Sequence, residues 1–185
     1  MANLKSIEAV LCLQENGGIG LGLDLLFKSN ELPGDMDRFK EKTMGKVLIM
    51  GSKTWHSIPE KWRNFEGREV IVITRNPKKI ENPEKLAAIS GSVMEAIHYA
   101  RTNFPEKGIV CGGGGEIYRQ MFPFCTCIWA TIVYDKREAN IIVKIPDYFQ
   151  EITSDRISHE HKGLKYDFAT YKIIPKNPEN HGDGS

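Results

Sequence analysis

An α/β fold built on a largely parallel sheet is what the sequence predicts, and three observations lead there. Short apolar runs bounded by turn residues recur at Ile7 to Leu13, Val47 to Met50, Val70 to Thr74, Ile109 to Cys111, Ile128 to Val133 and Phe168 to Ile174, and these read as strands. Helix-like segments separate most of them, and such alternation implies a parallel sheet covered on both faces, a three-layer arrangement. After Pro146 only strand-like material follows, Ile152 to His159 and Asp167 to Ile174 around a Lys162-Gly163 turn, which predicts an antiparallel hairpin closing one sheet edge.

The clearest helix begins at Ser92, with Glu95 three residues on as a capping box, and places Val93, Ala96, Ile97 and Ala100 on one face. A second runs over Pro33 to Thr43, with proline in its first turn. The 185 residues suit one domain, assigned to 1–175, followed by a polar tail at 176–185 that is expected to fray.

The chain is 41% hydrophobic and 26% charged, which excludes wholesale disorder. Its 25 basic and 24 acidic residues leave a net charge of +1, giving no electrostatic footprint for nucleic acid or a membrane surface. No apolar run approaches the roughly 18 residues that span a bilayer. The amino-terminal residues, broken by Lys5 and Glu8, lack the apolar stretch of a secretion signal, so a cytoplasmic protein is expected. Cys12, Cys111, Cys125 and Cys127 sit among apolar neighbours and read as reduced, inert thiols. The five histidines are scattered, with His159 and His161 read as a surface pair, and no metal site is expected.

Candidate chemistry starts at Asp35. At about 100° per residue, Phe39, Thr43 and Met36 lie within roughly 100° of it, and Asp35 reads as the only charge on the helix's inward arc. An acid in a first turn complements the helix dipole, but a carboxylate among Met and Phe on a buried face also asks for a partner, which a ligand donor would supply. Upstream, Gly17 to Phe27 is rich in glycine yet completes no G-x-G-x-x-G, so it reads as a loop, either a lid or a flexible connection.

Three strand-to-helix junctions look suited to anions. Met50-Gly51-Ser52-Lys53-Thr54 offers backbone N–H groups and a hydroxyl. Gly112 to Gly115 brings bare backbone close to something bulky, since a tight turn needs only one or two glycines. Thr74-Arg75 ends a strand with a hydroxyl and a guanidinium, a pair suited to a ribose 2′-phosphate. One carboxylate beside a phosphate-bearing cofactor points to hydride transfer.

These pieces resemble dihydrofolate reductase over about residues 4 to 174. They are Glu15-Asn-Gly-Gly-Ile-Gly20, Leu32 to Thr43, Ile49 to Ile58, Gly67-Arg68, Thr74-Arg75, the glycine run through Tyr118, and Ala130-Thr131-Ile132. The resemblance implies an eight-stranded, mostly parallel sheet with an antiparallel carboxyl-terminal edge strand and about four helices. It implies reduction of 7,8-dihydrofolate with NADPH by a small-molecule enzyme, a monomer open to antifolate inhibitors. Asp35 and Thr131 would hold the pterin ring, with Phe27 at the lid position near the proton route. Val10, Cys12, Phe39, Ile58, Gly112 and Tyr118 would line the substrate pocket, and Arg68 would clamp the tail carboxylate. Ile19, Gly20, Gly51, Ser52, Lys53, Thr54, Gly113, Gly114, Gly115, Glu116, Ile117 and Tyr118 would contact the cofactor, and Thr74 with Arg75 its 2′-phosphate.

The sequence departs from the family at several places. Phe27 stands where the family usually has Trp, Lys28 to Glu31 are extra, Ser52 replaces a usual basic residue, and Cys12 and Gly112 replace Ala and a branched residue. The lid is therefore expected to close by burying Leu25, Leu26 and Phe27. A related NADPH-dependent pterin or pyrimidine reductase, or a non-catalytic module retaining the fold, are the other readings; Arg68 has a role only if the substrate carries a carboxylate tail.

Overall fold

Strict alternation makes the first strand. In β1 (Ile7–Gln14), Ile7, Ala9, Leu11 and Leu13 face one side, and Val10 and Cys12 the other. The computed structural model describes residues 5–173, so the proposed tail lies outside the described residues. The chain continues through β2 (Gly18–Leu21), β3 (Asp24–Leu25), α1 (Asp35–Thr43), β4 (Val47–Gly51), α2 (Ser52–Ser57), β5 (Glu69–Ile73) and β6 (Ala88–Ser90). It then forms α3 (Val93–Asn103), β7 (Ile109–Gly113), α4 (Gly115–Met121), β8 (Cys127–Val133), β9 (Ile141–Ile142), β10 (Phe149–Glu151), β11 (Ile157–His161) and β12 (Leu164–Ile173).

The main sheet runs β10-β12-β8-β1-β7-β4-β5-β6, with β11 as a ninth strand paired to β12. From β8 to β6 every pairing is parallel, and β12 joins β8 antiparallel. The antiparallel strand sits one place in from the edge, because β10 and β11 pair with its outer side in succession. The β11–β12 hairpin turns at Lys162-Gly163 as expected, but residues 153–155 form a 3-10 turn, so β11 begins later than the apolar pattern suggests. Both histidines of the expected surface pair are half-buried rather than fully exposed, and His159 packs against Tyr166 and Phe168 at 5.2 and 4.5 Å between ring centroids.

Helices α3 and α4 cover one face of the sheet, over Ile49, Ile71, Ile109 and Cys111. Helices α1 and α2 cover the other, over Val10, Leu48, Met50, Val70 and Val72. The Ser92 hydroxyl accepts from Glu95 N–H at 3.2 Å, while the Glu95 carboxylate accepts from Gly91 N–H at 2.8 Å, a cap reaching one residue further back than the usual box. Pro33 lies just before α1: Gly34, at φ 86°, turns the chain in a left-handed conformation that disfavours other residues. Tyr166 fixes that turn by donating its hydroxyl to the Pro33 carbonyl at 2.7 Å. Cys111, Cys125 and Cys127 are buried free thiols, and Cys12 is half-buried. Among the described residues no helix is long and apolar enough to cross a membrane.

Candidate active site

Asp35 opens α1 beside the sheet, half-buried. Burial pushes its carboxyl above the usual aspartate range, opposed by the Thr131 hydroxyl of β8 and by the charge of Arg38. The same carboxylate, with burial, raises the Cys12 thiol and the Tyr118 and Tyr166 hydroxyls, so residues of β1, α4 and β12 all feel its charge. Asp35, Thr131, Cys12 and Tyr118 thus form one neighbourhood.

One expectation about α1 fails. Met36 is 52% exposed, whereas Arg38, taken to face outward, is half-buried and donates to the Ala130 carbonyl at 2.8 Å and the Ala169 carbonyl at 2.9 Å. Lys42 is also half-buried, its ammonium 4.3 Å from the centre of the Trp129 ring. The buried arc is therefore rotated towards β8 and β12. Long cationic side chains can lie along such a face while their heads find carbonyls or ring faces, which a helical wheel does not register.

The glycine run forms a cradle with α2. Gly113 has φ 99°, and a Cβ there would meet the Tyr118 ring at 2.7 Å. A Cβ on Gly114 would lie 2.9 Å from the Thr54 hydroxyl oxygen, and one on Gly51 3.0 Å from Ile117. Side chains would fill this notch where β4 and β7 end side by side, Met50 opposite Gly113. Gly115 approaches Ile19 and Ile141, which brings the β2–β9 ribbon to the same place, with Gly20 opposite Ile141. Ser52 and Lys53 begin α2 at the rim. Glu116 points away, exposed and bonded to Arg119 and Gln120. The Tyr118 hydroxyl donates to the Val10 carbonyl at 2.7 Å, and Gly112 packs against Leu48.

Phe39 and Ile58 are half-buried against the core of this face, next to Phe65. Arg68 stacks over Phe65, 4.9 Å from the ring centre, and donates to the Thr43 hydroxyl at 3.2 Å; its buried Nε has no partner. At the end of β5, Thr74 accepts from Asn76 N–H at 3.0 Å, and Arg75 is exposed.

The lid segment is more ordered than glycine content suggested. It forms β2 and β3, with β9 completing a small antiparallel sheet. Leu26 and Phe27 are already buried, against Leu32, Val133 and Tyr166, while Leu25 is 72% exposed. Arg137 caps Phe27 at 4.4 Å and ties down the extra residues through the Leu26 carbonyl and Glu31. The sequence does not point to Arg38, Arg137 and Tyr166, because the contacts that bring them to the site, to Ala130, Leu26 and Pro33, span 92 or more residues.

A half-buried carboxylate on one wall, and a glycine-lined notch at the ends of neighbouring parallel strands, stand where open-sheet α/β proteins generally take ligands, outside the strands' carboxyl ends. A family model described as dihydrofolate reductase matches residues 6–173. Dihydrofolate reductase type 8 of Escherichia coli is 31% identical over 173 residues, covering 89% of this chain and 92% of its own. Dihydrofolate reductase of Enterococcus faecium is 32% identical over 133 residues, 72% of this chain and 74% of its own. That of Saccharomyces cerevisiae is 36% identical over 127 residues, 63% and 59%. The chain belongs to the dihydrofolate reductase family, and in general terms it is an oxidoreductase of that kind.

Proposed function

We propose that this protein reduces 7,8-dihydrofolate to 5,6,7,8-tetrahydrofolate with NADPH, hydride going to C6 and a proton to N5. The observation that carries the reading is the half-buried Asp35 carboxylate facing Thr131, on the wall that also holds Arg68 with an unsatisfied buried Nε. A buried donor without a partner is costly, and a carboxylate on the substrate's tail would satisfy it. This favours a tailed folate over a bare pterin or pyrimidine.

The residues fit a dinucleotide. The notch at Gly51, Gly113 and Gly114 is space that a Cβ would fill, and Thr54 stands at its edge with a hydroxyl for a phosphate oxygen. Arg75 is exposed to meet a 2′-phosphate, and the Thr74 hydroxyl, which accepts from Asn76 N–H, keeps its proton to donate to it. NADPH, when bound there, supplies the hydride.

Asp35 accepts from the pterin's amino and ring N–H groups, which fixes the ring and raises proton affinity at N5. Held to those donors, it does not itself reach N5, so water is the immediate proton source. Phe39, Ile58, Val10 and Cys12 keep the rest of the pocket apolar, which strengthens the Asp35 contact. In this reading the enzyme is a cytoplasmic monomer that supplies tetrahydrofolate to one-carbon metabolism, and antifolates compete at the Asp35 wall.

The test is NADPH oxidation, followed spectrophotometrically, with dihydrofolate as substrate. Asp35→Asn should lower hydride transfer about 10²- to 10⁴-fold at neutral pH and regain part of it at low pH, where the substrate is protonated in solution. Its melting temperature should rise, because a carboxyl raised by burial costs stability once pH exceeds its folded value, and Asn removes that charge. Unchanged turnover in this variant would falsify the assignment, and no NADPH oxidation by the unsubstituted chain would leave a non-catalytic module.

A further inference from the structure

Arg38 is a cation in an unusual position. Its guanidinium is half-buried, none of the ion pairs among the described residues includes it, and its two observed bonds go to main-chain carbonyls. Those carbonyls belong to Ala130 and Ala169, which stand opposite each other in the β8–β12 ladder, so the planar fork spans one rung of the sheet. The Phe168 ring supports it from one side, 4.9 Å from ring centre to guanidinium carbon. Ala130 directly precedes Thr131, and Arg38 is one helical turn from Asp35. One side chain therefore links the helix carrying the carboxylate to the strand carrying its hydroxyl partner.

The charged neighbours on each element are few. On α1, Asp35 and Glu41 act on Arg38, with Asp37 and Lys42 beside it on the outer groove; Asp155, in the 3-10 turn before β11, lines the same groove, and from β8 the Cys127 thiol acts on Arg38 as well. Asp35 in turn is surrounded by Cys12 of β1, Tyr118 of α4 and Tyr166 of β12, all neutral at physiological pH because burial and Asp35 raise them. Burial raises the half-buried Asp35 carboxyl, and the Thr131 hydroxyl and then the Arg38 charge oppose that rise. A guanidinium stays protonated at any physiological pH, so this influence is constant.

We propose that Arg38 is a positioning residue of the site, holding α1 to the Ala130–Ala169 rung with its positive charge one helical turn from the Asp35 carboxylate. The inference deepens the reductase reading and rests on it for its catalytic consequence. Its effect on Asp35 can be measured without substrate.

The experiment titrates Asp35 by carboxyl-carbon NMR in the full chain, unsubstituted and as Arg38→Met, Arg38→Gln and Arg38→Lys. Removing the charge should raise the Asp35 midpoint by about one pH unit, and lysine should restore most of that shift. Gln retains an amide donor for one carbonyl, so the comparison survives if the Met variant does not fold. The pH profile of dihydrofolate reduction should move in the same direction in the neutral variants, in kcat more than in KM. A folded neutral variant whose Asp35 titrates as in the unsubstituted protein overturns the proposal, as would Lys and neutral variants shifting alike. If Asp35 moves as expected but no variant oxidises NADPH with dihydrofolate, the reductase reading fails and the link from Arg38 to Asp35 stands.

Discussion

Arg63 and Arg68 lie five positions apart, and each stacks on an aromatic ring, Trp55 at 5.4 Å and Phe65 at 4.9 Å. Their hydrogen bonding separates them. Arg63, only 5% exposed, makes four bonds: to the Ile58 and His56 carbonyls, to the Glu81 carboxylate and to the Asn82 amide oxygen. Arg68 makes one, to the Thr43 hydroxyl, and keeps a buried Nε unsatisfied. A guanidinium whose donors are used internally is structural, and one held in place with donors to spare is available to a ligand. Arg75, exposed at the end of β5, completes the gradation.

Substitution at each should break the comparison if it is wrong. Arg63→Met would take the donor from the Ile58 and His56 carbonyls around the loop that carries Ile58, while the exposed Glu81 carboxylate returns to water, at a cost of about 2–4 kcal/mol. For a chain of this length that is a fall in melting temperature of roughly 5–15 °C, visible by calorimetry. Arg68→Met should leave the melting temperature unchanged or higher, since a buried unpaired donor is removed. It should also raise KM for dihydrofolate about 10- to 100-fold with little change in kcat, and leave a tail-less dihydropterin unaffected. Equal losses on both substrates would assign Arg68 to the fold instead. Arg75→Ala has the smallest expected effect, because its contact with the cofactor is solvent-exposed: the NADPH preference over NADH should fall about tenfold, measured as the ratio of the two KM values.

The sequence made some of this legible and hid the rest for physical reasons. Asp35 was readable because a helix start and a local apolar face identify it without tertiary information. The glycine run was readable because four consecutive glycines are wasteful in an ordinary turn, and the structure uses that space at Gly113 and Gly114. Arg38 was misplaced because a wheel assigns burial by angle alone, whereas this side chain reaches carbonyls on two strands. Strands β2, β3 and β9 are two to four residues long, too short for alternation to show. Phe27 was assigned to a lid that buries it on closure, yet Arg137 and Val133 already bury it, through contacts more than 100 residues distant.

The sheet order has a consequence for how the chain reaches its native state. Strand β1 is made first and occupies the interior of the sheet, yet its two neighbours are β7 and β8: Ile7 pairs with Ile109, and Glu8 with Cys127. During synthesis both edges of the most apolar early strand stay unpaired until more than 100 further residues have left the ribosome. Such non-local closure is entropically slow and leaves a sticky edge exposed to other nascent chains. Helix α1 cannot settle either, because the rung that holds Arg38 does not exist before β8 and β12 are in place. The carboxylate wall is therefore among the last parts of the molecule to assemble, and a chain released early carries Asp35 with nothing to position it.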